Sequence, residues 1–122
     1  MSINEYYLLP ATTFGVPSGN YDGSSQDWAG DPAKAAGYYR GQGSIQTITF
    51  GVNSFVGQMR LQGTLDSDGD IAEWFDLYDY GDASSINPIT DRYPVTITGN
   101  FTWLRIFVAE FNAGQITVTL SY

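Results

Sequence analysis

The chain has no cysteine and no histidine. Disulfides, Cys- or His-ligated metal sites, cysteine nucleophiles and every triad that uses imidazole as its base are thereby excluded. Cations are scarce: Lys34, Arg40, Arg60, Arg92 and Arg105 stand against 13 acids, for a formal net charge of −8. So few bases release too few counterions to hold nucleic acid, and no such partner is expected. Long apolar runs are missing too. Stretches such as Ile106 to Ala109 fall far short of the ~20 residues a spanning helix needs, so no membrane span is expected. The opening MSINEYYLLPATTFG lacks the basic and apolar regions of a signal peptide, which implies synthesis in a cytoplasm.

What is present is 122 residues, 43% of them hydrophobic. That length implies a single domain, residues 1–122, with two layers around a thin core. Residues 10–43 carry Pro10, Pro17 and Pro32 with Gly15, Gly19, Gly23, Gly30, Gly37, Gly41 and Gly43. Such density predicts an irregular excursion, packed by Tyr21, Trp28, Tyr38 and Tyr39, with one helical turn at Asp31–Gly37. From Ser44 onward, apolar and polar residues alternate with period two. That pattern predicts strands at about 44–52, 56–65, 73–80, 93–98, 101–111 and 115–122, with another near 5–9. The fold class is therefore all-β: an antiparallel β-sandwich, jelly-roll-like, of about six to eight strands. Its expected core is Ile48, Phe50, Val52, Phe55, Met59, Leu61, Leu65, Leu104, Ile106, Val108, Ile116, Val118 and Leu120.

Two constellations stand out. Asp66, Asp68, Asp70, Glu73, Asp76, Asp79 and Asp82 form an acidic cluster. Asp66, Asp68 and Asp70 have the alternation of a calcium loop, but Ile71 and Leu77 stand where that loop needs Gly and Glu. The segment reads as a solvated hairpin tip or, failing that, as a weak calcium site on those three aspartates. No other cofactor is expected. Alternate carboxylates on a strand, ~6.6 Å apart, overlap the spacing of an inverting glycosidase pair. A watery tip supplies no apolar wall to raise a pKa, so no catalytic residue is assigned and the protein is not expected to be an enzyme. The second constellation is aromatic. Opposite Leu104, Ile106 and Val108, the strand 101–111 presents Phe101, Trp103, Arg105, Phe107 and Phe111. These five are the candidate partner-contact residues: they are covered by the excursion or a subunit, or they stack on sugar rings. Trp28 and Trp74 are further sugar platforms or core residues.

The motifs Gly37-Tyr38-Tyr39, Gln62-Gly63-Thr64-Leu65, Trp74-Phe75, Gly99-Asn100-Phe101-Thr102-Trp103 and Ala113-Gly114 resemble the recurring elements of a family of small structural proteins from tailed bacteriophages, especially marine and cyanobacterial ones. The resemblance covers residues 37–122, with Arg40 where that family has Gly. It implies a virion location, foremost as a capsid decoration (cement) protein that contacts the major capsid protein or other virion proteins. A homo-oligomer follows, with a trimer favoured. The alternatives are a baseplate or tail-fibre component, or a carbohydrate-binding module touching host polysaccharide.

Overall fold

The computed structural model describes residues 5–36, 38, 45–65, 73–82, 87–99 and 101–121. Among them run seven antiparallel strands: β1 Glu5–Thr13, β2 Trp28–Ala29, β3 Ala33–Lys34, β4 Ile45–Thr64, β5 Phe75–Gly81, β6 Ile89–Thr98 and β7 Trp103–Ser121. β4, at 20 residues, unites the expected runs 44–52 and 56–65; β7, at 19 residues, unites 101–111 and 115–122.

Both long strands bend, and the bends create the two layers. β4 buries Ile48, Phe50 and Val52, then changes parity to bury Phe55, Met59 and Leu61. The change falls at Ser54, whose φ of 53° is left-handed. β7 buries Leu104, Ile106 and Val108, then Phe111, then Ile116, Val118 and Leu120. Its irregularities are Glu110 (φ 54°) and Gly114 (φ 97°). Register shifts between the two strands lie beside these residues, as expected where an extra residue kinks a strand.

The first half of β4 therefore pairs with β6 and with the end of β7, which in turn pairs with β1. The second half pairs with β5 and with the beginning of β7, which also carries β2 and β3. With β2 and β3 taken as one segment and β4 and β7 divided at their bends, eight segments result, in the orders 6-3-8-1 and 5-4-7-2. This is the order of a jelly-roll sandwich. Phe50 of the first layer stacks on Tyr80 of the second at 5.0 Å, which places the shared core between them.

The expected core is buried with one exception. Leu65 is 62% exposed, because β4 ends at Thr64 and the alternation ends with it. The excursion contributes core of its own: Tyr21 and Trp28 are buried beside Phe111, at 5.2 and 6.2 Å between ring centroids. Asp22 tightens the turn between them. Its carboxylate accepts hydrogen bonds from the Ser24 and Ser25 amides, which lower its pKa to about 2. The helical turn expected at Asp31–Gly37 is not formed over its first half, where Ala33 and Lys34 are strand β3, paired with Leu104 and Trp103. The open edge of β7 offers backbone partners that a lone helical turn cannot match. Gln46, buried in β4, ties the excursion to the sandwich by accepting from the Ala36 amide and donating to the Gly99 carbonyl.

Candidate functional site

The outer face of the second layer gathers the polar and aromatic side chains. Along β7, Trp103, Arg105 and Phe107 alternate outward between buried Leu104, Ile106 and Val108, each half-exposed. Register sets their neighbours. Trp103 lies between Lys34 of β3 and Thr64 of β4; Arg105 lies opposite Gln62, and Phe107 opposite Arg60. One strand further out, Gln62 pairs with Asp76 and Arg60 with Asp79.

These positions are joined by hydrogen bonds that run across the strands. Arg105 Nε donates to Gln62 Oε1 at 2.7 Å, and Gln62 Nε2 donates to Asp76 Oδ1 at 2.8 Å. Arg60 Nε donates to Gln58 Oε1 at 3.2 Å in the next row. The Arg105 guanidinium also lies 4.5 Å from the centre of the Trp74 ring, in cation–π range. Partial burial lowers the Arg105 pKa from its ordinary value, and the nearby Asp76 carboxylate opposes that shift. On the other flank, the Tyr38 ring meets Trp103 edge-on at 5.6 Å, and Lys34 Nζ lies 4.4 Å from the Tyr38 ring centre. The result is a hydrogen-bonded row, Arg105–Gln62–Asp76, running across three strands, with Trp74 against the guanidinium and Trp103 two residues along β7 from Arg105.

Of the five residues expected to share this face, three do. Phe111 is fully buried, because the left-handed Glu110 shifts the alternation by one and turns the ring inward against Phe55, Tyr21 and Trp28. Phe101 precedes β7 and packs on the core, so close to buried Gly63 that a Cβ there would lie 3.0 Å from its ring. Arg105 faces the ring of Trp74. Asp66, Asp68 and Asp70 lie outside the described residues. Among the described residues, no three acidic side chains gather where a metal could be held. Gln62 and Asp76 carry no signal of their own in the sequence: Gln62 is an ordinary outward residue of an alternating strand, and Asp76 is one acid among the seven of the acidic cluster.

Comparison with protein-family models gives no match, and comparison with curated proteins gives none. Among solved structures, the chain is similar to a family 29 carbohydrate-binding module from Piromyces equi. The TM-score is 0.38 and the identity 13%, over 99% of this chain and 91% of that one.

Proposed function

We propose that this chain is a non-catalytic polysaccharide-binding module that works through the outer face of the second layer. The observation that carries the reading is the row Arg105–Gln62–Asp76, hydrogen-bonded across three strands, with the Trp74 ring against the Arg105 guanidinium and Trp103 two residues along β7. Sugars present apolar ring faces edged by hydroxyls. Indole rings suit the faces, and pre-bonded planar side chains suit pairs of hydroxyls at small entropic cost. A sheet face holds these groups more rigidly than a loop would. The virion setting implied by the sequence resemblance belongs to the same proposal: on a particle, such a face would hold host polysaccharide.

The test is affinity electrophoresis of the folded chain through gels containing a panel of soluble polysaccharides. Trp103→Ala and Arg105→Lys should each weaken retardation about tenfold, equivalent to ~1.4 kcal/mol, with unchanged melting. Arg105→Lys keeps the charge but loses the planar fork. Light scattering with a capsid pull-down supplies the opposing outcome. If Trp103→Ala leaves glycan binding intact but dissolves a trimer or releases the chain from capsids, the face is a protein contact.

A further inference from the structure

The opposite side of the sandwich carries a second feature, independent of the Trp103 face. The outer surface of the first layer is hollowed into a groove of about 420 Å³. Its floor is Gly51 between Thr49, Thr117 and Thr119; Asn53 and Gln115 close one end, and Tyr7 and Arg92 form the two walls. Register fixes the layout. Gly51 pairs with Arg92 on one side and Thr117 on the other, while Thr119 pairs with both Thr49 and Tyr7. Three strand spacings separate the walls, roughly 14 Å.

Gly51 is the unexpected residue. It sits in the interior of a strand paired on both sides, where glycine weakens the structure. Nothing in the fold demands it. Its backbone is not left-handed, and an added Cβ would meet only the Thr117 carbonyl oxygen at 3.5 Å, an ordinary contact. A β-branched residue would suit the strand better and would fill the groove. Glycine at this position keeps the floor open.

We infer that this groove is a second glycan site, built for a neutral polyhydroxylated chain. Hydroxyls, amides and the Arg92 guanidinium supply donors and acceptors, and the Tyr7 ring, 66% exposed, supplies one apolar wall. The single cation is offset by its neighbour Asp91, whose carboxylate accepts from Tyr80 Oη and from the Arg92 amide. With a net charge of −8 on the whole chain, no field draws an anionic polymer here. Val52, 6% exposed, is the one aliphatic residue of the lining, so no apolar pocket of the kind that grips peptide side chains opens here. The floor strands β4 and β7 are paired on both sides, which leaves them no free edge for a peptide strand to join.

The experiment is a backbone amide NMR titration of the intact chain with galactomannan oligosaccharides, and with alginate oligosaccharides as the carboxylated comparison. Shifts should gather at Thr49, Gly51, Thr117 and Thr119. Gly51→Val should cut affinity at least tenfold without lowering the melting temperature, and Trp103→Ala should leave these shifts in place. Thr117→Val, isosteric and equally suited to a strand, removes a hydroxyl and should weaken binding if Gly51→Val proves insoluble. The inference is overturned if galactomannan causes no shifts in the groove or alginate binds there more tightly. It is equally overturned if Gly51→Val binds like the parent, or if light scattering shows the groove closing a dimer. Loss of the Trp103-face shifts alone would count against the first site and leave this one standing.

Discussion

The bend of β7 against β4 is where the two-layer fold is most exposed to a single atom. Gly114 adopts φ +97°, and a Cβ placed on it would lie 2.5 Å from the Ser54 carbonyl oxygen, 2.6 Å from that of Asn53 and 2.6 Å from Phe55 Cα. All three are backbone atoms, so no side-chain rotation relieves the overlap. Gly114→Ala therefore combines two costs: about 1–2 kcal/mol for an L-residue in left-handed backbone, and about 1–3 kcal/mol for overpacking that the chain must absorb by moving. The sum, about 2–5 kcal/mol, is a large share of the ~6–18 kcal/mol expected for a domain of this length. It corresponds to a fall in melting temperature of about 10 °C or more. Gly19→Ala is the control: that residue also has positive φ, at +56°, but nothing lies within 4 Å of the added Cβ, so only the first cost applies. Differential scanning calorimetry of the two variants separates backbone strain from steric overlap. If Gly114→Ala melts within about 2 °C of Gly19→Ala, the two strands do not cross as closely as described and the reasoning fails.

Two further outcomes follow from the core and its rim. Ile106 is fully buried opposite Leu61, so Ile106→Asp strands a carboxylate among apolar side chains at a cost of about 3–5 kcal/mol and should abolish cooperative unfolding; a soluble variant with a sharp calorimetric transition would refute the register. Burial, and then the hydrogen bond it donates to Asp91, push Tyr80 from 10.0 up to about 12. The folded chain therefore keeps a proton that the unfolded chain loses, so this contribution is intact below pH 10 and is lost as pH rises through about 12. Denaturant titrations should show a steeper alkaline loss of stability in the parent than in Tyr80→Phe, and equal slopes would refute the assignment.

The long strands and most of the core are legible in the sequence. Period-two alternation is a local property, so the inward residues of β4 and β7, from Ile48 to Leu120, were legible one strand at a time. The lack of cysteine and histidine likewise narrows the chemistry through composition alone. Local patterning cannot see a change of parity. Whether Phe111 faces in or out depends on a single left-handed residue, Glu110, whose conformation is imposed by the crossing of β4 and β7 rather than by its own propensity. The same holds for β3, where a helix-like segment became a strand because β7 left an edge to be paired. The candidate site was half legible. Trp103, Arg105 and Phe107 are neighbours on one strand, whereas Gln62 and Asp76 join Arg105 through cross-strand register, and Trp74 reaches it from the residue preceding β5. Likewise, Gly51 reads in the sequence as one more glycine. Only the pairing of four strands turns it into the floor of a groove, because the space above a residue belongs to its neighbours across the sheet.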